Sequence, residues 1–293
     1  MLEIKREAKN FLYFLELGEG RSHNSIRSIR SDLEQFCNFL ESHRKDCSLR
    51  EIDQFIVRGF IDFLSKQNVG KRSINRKIST LRTFFKHLQK REIIGKNPIL
   101  LVDFPEFEAE APEFITLKEL YKIRESIETD SVNGLRDRAM FELLYSSGIT
   151  SQELLKLGES VINFEGRELK IFDGKISRVV FFSERAAEYI KRYIEKKKIK
   201  YGEKYSRDIL FVNGSATRLS ARSLRRILDR YVEKGELKKE VTPHMLRHTY
   251  ALYLLAKGMN IKFVHELLGH STLDFTKKYY EVLKNFKSAN NME

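Results

Sequence analysis

Cysteine is scarce in this sequence: Cys37 and Cys47 are the only two among 293 residues, ten positions apart and in no Cys-x-x-Cys arrangement. That excludes a disulfide-built scaffold and the usual structural zinc site. Long apolar runs are missing too. None approaches the roughly 18–20 residues a membrane span requires, and the opening MLEIKREAKN carries charges where a secretory leader would carry its apolar stretch. These absences lead us to expect a cytoplasmic protein. Acids are outnumbered, 41 against 54 Lys and Arg, for a formal net charge of +13. Such a balance favours polyanions, because cations gain free energy by releasing counterions from phosphates.

The basic residues are not evenly spread. From Lys66 to Lys96 there are ten (Lys66, Lys71, Arg72, Arg76, Lys77, Arg82, Lys86, Lys90, Arg91 and Lys96) against one acid, Glu92. Surface helices normally mix signs to form i,i+4 pairs, so a run this one-sided points to the phosphates of a nucleic acid, with Lys71, Arg72, Arg76, Lys77, Arg82 and Lys86 as the expected contacts. Asp103 to Glu113 then holds five acids and no base, with Pro105 and Pro112. This shift marks a linker.

Before the linker the pattern is helical: Phe36, Phe39 and Leu40 recur at helix spacing, as do Ile74, Ile78, Leu81, Phe85 and Leu88. Asn24-Ser25 and Ser31-Asp32 offer caps or turns. After it, helices are expected around 116–128, opened by a Thr116/Glu119 capping box, and around 134–146. The period then changes. ELKIF and RVVFF are short β-branched and aromatic runs flanking Asp173-Gly174-Lys175, a hairpin signature. Helical segments resume at about 184–198, 220–234, 244–257, 261–268 and 272–284.

The chemistry gathers in the C-terminal third. His244 and Arg247 lie three apart in a helical segment, His270 sits in LLGHS, and Tyr279 follows nine residues later. A guanidinium can clamp two phosphate oxygens. Imidazoles can donate to developing charge or accept a phenolic proton, and a Tyr oxygen can form a covalent phospho-enzyme. His244 and His248 stand i,i+4 as in a zinc helix, but HMLRH lacks the Glu and no third ligand motif accompanies it.

The string H-x-L-R-H-T-x-A, then LLGHS, then Tyr279 resembles the tyrosine site-specific recombinase (phage integrase) family, closest to its Xer-like branch. KRSINRKISTLRTFFKHLQKREIIGKNPI resembles the last helices of that family's core-binding domain, and GLRDRAMFELLYSSGI the opening of its catalytic domain. The resemblance implies a mainly α (α+β) fold: an N-terminal four-helix core-binding (SAM-like) domain at 1–91, a linker at 92–112, a mostly helical catalytic domain with a small antiparallel sheet at 113–285, and a tail at 286–293. It implies strand exchange on double-stranded DNA with no metal or nucleotide cofactor, by a homo- or hetero-tetramer on paired sites, at the nucleoid and away from membranes. Tyr279 would attack the phosphate to give a 3′-phosphotyrosyl link. Arg247 would clamp the phosphate, His244 and His270 would stabilise the transition state or move protons, and Lys175 would protonate the leaving 5′-oxygen. In the stretch after Tyr280, Val282, Leu283 and Phe286 either dock on a neighbour or pack on their own domain.

One position departs from the pattern. The family's first catalytic Arg follows a Gly-Leu pair; here the string is YSSGITSQELLKL, and Thr150 occupies that place while Glu153 and Leu154 keep theirs. Loss of an essential Arg on a transferring phosphoryl group costs roughly 10³–10⁵ in rate. Two readings stay open: an active recombinase, or a catalytically weak DNA-binding partner on a recombinase fold.

Overall fold

The computed structural model describes residues 2–19, 23–44, 47–105, 111–172, 177–270 and 272–292, with nothing said of the side chains of residues 2, 23, 24 and 275. The chain divides into two compact units, Met1–Ala109 and Glu110–Glu293.

The first unit is a bundle of α1 (Leu2–Leu17), α2 (His23–His43), α3 (Gln54–Lys66) and α4 (Lys71–Lys90). Asp53 caps α3 by accepting from the Ile56 N–H at 2.9 Å. Helix α4 contains no Gly or Pro and buries Ile74, Ile78, Leu81, Phe85 and Leu88 on one face, as their spacing predicts. Phe36 of α2 packs edge-on against Phe60 of α3, ring centroids 5.1 Å apart.

Ser31-Asp32, which local sequence marks as a cap or turn, instead lies inside α2. Asp32 is only 1% exposed, and its carboxylate explains its place. It accepts from Lys77 Nζ at 3.0 Å and Thr80 Oγ1 at 2.9 Å, and it also pairs with Arg76. A buried acid thus binds α2 to α4 through cations that the charge run assigns to phosphates.

In the second unit α5 (Leu117–Glu125) begins with the expected Thr116/Glu119 capping box. Helix α6 (Val132–Ser147) is buried nearly all round. Its charges are internally paired: Glu142 takes Arg124 through two bonds, at 2.8 and 3.0 Å, and Arg138 Nε at 2.9 Å. Asp137 takes Arg136 Nε at 2.8 Å and Arg230 Nη2 at 3.0 Å. Pairing of this kind is what makes buried ions tolerable. After α7 (Ser151–Lys156) comes an antiparallel sheet of β1 (Ile162–Asn163), β2 (Glu168–Phe172) and β3 (Ser177–Phe181), in that order. The register pairs Leu169 with Val180 and Ile171 with Arg178. β1, two residues long, leaves no period-2 signal to read.

Helices α8 (Glu184–Tyr201), α9 (Ala221–Lys234), α10 (Pro243–Ala256), α11 (Ile261–Leu268), α12 (Leu273–Lys277) and α13 (Tyr279–Ala289) complete the unit. The single helix expected at 272–284 is two, parted at Lys278. Phe286 is fully buried and meets Phe114 edge-on at 5.1 Å. Phe286, at the head of the segment expected to be a tail, is therefore core, and it and Val282 pack on their own unit. Among the described residues, no helix is long and apolar enough to cross a membrane.

Candidate active site

The start of α10 sets the geometry of the site. Thr242 caps the helix, its Oγ1 accepting from the Met245 N–H at 3.1 Å, and Pro243 occupies the first turn, where its missing N–H does no harm. This start fixes the phase of α10, turning Arg247 inward while His244 stays exposed. Arg247 is 6% exposed. Its guanidinium donates to Gly148 O at 2.6 Å and Leu268 O at 2.5 Å, the carbonyls at the ends of α6 and α11. Both ends need a left-handed residue, Gly148 at φ 63° and Gly269 at φ 65°. A Cβ on Gly148 would stand 2.5 Å from Tyr250 Cδ1.

Tyr279, the first residue of α13, is 1% exposed. Its hydroxyl lies 2.8 Å from His248 Nδ1. Burial, with help from His244 and Arg247, holds His248 down to about 4. Burial raises Tyr279 to about 12 against the pull of Arg247. At neutral pH the pair is thus a neutral imidazole and a protonated phenol, and the tautomer with a bare Nδ1 accepts the phenolic proton. His270 Nδ1 lies 2.9 Å from Thr276 Oγ1, and its ring stacks at 18° to that of Tyr279, centroids 6.2 Å apart. Burial, then Arg247, lowers His270 to about 4.

The structure brings Tyr279, Arg247 and His270 together. His248, which the sequence presents only as half of a zinc-like pair, is the imidazole on the Tyr279 hydroxyl; His244 stands beyond it, ring centroids 6.3 Å apart. Among the described residues no group of His, Cys, Asp and Glu is arranged to hold a metal. Lys175 lies outside the described residues. Thr150 caps α7: Glu153 N donates to its Oγ1 at 3.2 Å, and its own N–H donates to Glu153 Oε2 at 2.7 Å. The other oxygen of Glu153 accepts from Arg178 Nη1 at 2.6 Å, a residue that none of the sequence motifs singles out. A signal exists: in RVVFF, Arg178 shares the inward face with buried Val180, an unusual place for a charge.

Of the six cations expected at DNA, Lys71, Arg72, Arg76 and Lys86 are exposed. Lys77 is buried on Asp32, which withdraws it, and Arg76 shares that carboxylate. Arg82 is half-buried, its guanidinium 4.3 Å from the Phe104 ring centroid.

The profile of the phage integrase family matches residues 113–285, and that of the phage integrase N-terminal SAM-like domain matches residues 8–92. The chain belongs to the phage integrase family, in its Xer-like tyrosine recombinase branch. It is similar to tyrosine recombinase XerC of Syntrophus aciditrophicus, 36% identical over 94% of this chain and 93% of that protein. It is also similar to tyrosine recombinase XerD of Staphylococcus saprophyticus, 30% identical over 94% of each chain. The fold is shared with the XerH site-specific recombinase bound to a palindromic difH substrate, with a TM-score of 0.75 at 21% identity, over 90% of this chain and 78% of that one.

Proposed function

We propose that this protein is a site-specific DNA recombinase that cuts and rejoins duplex strands through Tyr279. The observation that carries the reading is the 2.8 Å contact between the Tyr279 hydroxyl and His248 Nδ1, beside buried Arg247. In the forward step the phenolic oxygen bonds to phosphorus, the phenolic proton passes to Nδ1, and the bond to the 5′-oxygen breaks. A 3′-phosphotyrosyl link and a free 5′-hydroxyl result, with Lys175 as the proposed donor to the leaving oxygen. Attack by another strand's 5′-hydroxyl reverses the step, so the energy of the broken bond is kept and no nucleotide is consumed. Arg247 offers a fixed cation where charge develops, and neutral His270 can donate there.

The same reading gives Lys71, Arg72 and Lys86 phosphate contacts, and assembly as a tetramer on paired sites at the nucleoid. The test uses a nicked duplex whose sequence is enriched from a random library by affinity for this chain. An SDS-resistant protein–DNA adduct, lost in Tyr279→Phe, supports the proposal. Tight binding with no adduct overturns it in favour of a DNA-binding partner.

A further inference from the structure

Two guanidinia, not one, converge on the end of α11. Arg247 Nη2 donates to Leu268 O at 2.5 Å, and Arg178 Nε donates to the preceding carbonyl, Leu267 O, at 2.9 Å. Arg178 arrives from β3 and packs against the Gly269 backbone, where an added Cβ would stand 3.1 Å from its Nη1. Its side chain is 12% exposed. Nη1 is held by Glu153, but Nη2 is buried and has no hydrogen-bond partner. A buried charged donor left without a partner costs about 1–3 kcal/mol or more, and such groups call for a functional explanation. Nearby charge points the same way. Arg178 and Arg247 repel, both act on His270, which burial keeps neutral, and the one negative charge beside them is Glu153. Among the described residues, two guanidinia thus share one carboxylate, an excess of positive charge that suits a phosphodiester.

We infer that Arg178 is the second guanidinium of the phosphate clamp, supplying from β3 the cation that the family carries at the place of Thr150, with Nη2 as the donor left for a non-bridging oxygen. This rests on the recombinase reading above. Thr150 and Arg178 hold opposite oxygens of the same Glu153 carboxylate, so a side chain at 150 starts beside the place the Arg178 guanidinium fills. A purely structural pair with Glu153 needs only one cationic nitrogen, which Lys supplies; a clamp needs the planar fork.

The experiment measures adduct formation on the enriched nicked duplex, with equilibrium binding and thermal melting recorded for each variant. Arg178→Lys keeps a cation for Glu153 but gives up the bond to Leu267 O; it is expected to melt modestly below the wild type, bind the duplex equally, and form adduct at least about tenfold more slowly. Arg178→Ala is expected to lose roughly 10²–10³ in rate. Adding Thr150→Arg to Arg178→Ala restores at least about tenfold of that loss, whereas Thr150→Arg alone slows the reaction by crowding a third cation into the site. Wild-type rates in folded Arg178→Lys, or no rescue in a folded double variant, overturn the clamp role while leaving the recombinase reading intact. Absence of adduct from the wild-type chain overturns both.

Discussion

Replacing His248 with Phe separates the two jobs the structure gives that ring. At neutral pH the substitution strands the buried Tyr279 hydroxyl, a loss of roughly 1–3 kcal/mol. In acid the sign reverses. His248 sits at about 4 in the folded chain, against an ordinary 6.5, so the unfolded chain binds the proton first as pH falls. Stability from this group is complete above pH 6.5 and drains away as pH falls toward 4, by which point roughly 3 kcal/mol is lost. Phe has no such dependence. The variant should therefore be less stable than the wild type at pH 7 and equal to it or more stable at pH 4, read by urea unfolding of the full chain followed by far-UV ellipticity. Adduct formation at pH 7 should fall by roughly 10²–10⁴, the range for a lost general base. An equal stability deficit at both pH values would refute the buried, neutral imidazole, and unchanged adduct formation would refute its role as base.

Asp32→Ala leaves Lys77 buried without its partner and should destabilise the first unit by about 3–5 kcal/mol, measured by urea unfolding. Joint replacement of Lys71, Arg72 and Lys86 by Ala should spare folding and shrink the slope of log affinity against log salt by up to about 3, checked by fluorescence anisotropy across a salt series; an unchanged slope removes α4 from the interface. Phe286→Ala empties a fully buried site and should cost about 3–5 kcal/mol, so deletion from Leu283 onward should abolish folding of the second unit as well as any assembly, as seen by calorimetry.

The parts of this protein with strong periodicity can be read directly from its residues. Ile74, Ile78, Leu81, Phe85 and Leu88 lie buried on one face of α4, and ELKIF and RVVFF pair as a hairpin. What local sequence hides is contact between distant segments. Nothing near Asp32 says that it will meet Lys77 across the bundle, 45 residues away, and a count of cations alone cannot separate those pointing to solvent from those pairing inward. The site shows the same division. Tyr279, Arg247 and His270 stand out by motif, whereas His248 reaches Tyr279 only because α10 and α13 pack together, over 31 residues of sequence. Arg178 is legible in principle, as a charge on the inward face of a strand, but its partner Glu153 lies on another element.

The most direct test of the account maps the DNA attachment point. Two adjacent tyrosines compete: Tyr279, 1% exposed with its hydroxyl on His248, and Tyr280, 53% exposed. Mass spectrometry of the digested adduct should place a 3′-linked nucleotide on Tyr279. Attachment at Tyr280, or persistence of the adduct in Tyr279→Phe, would contradict the account.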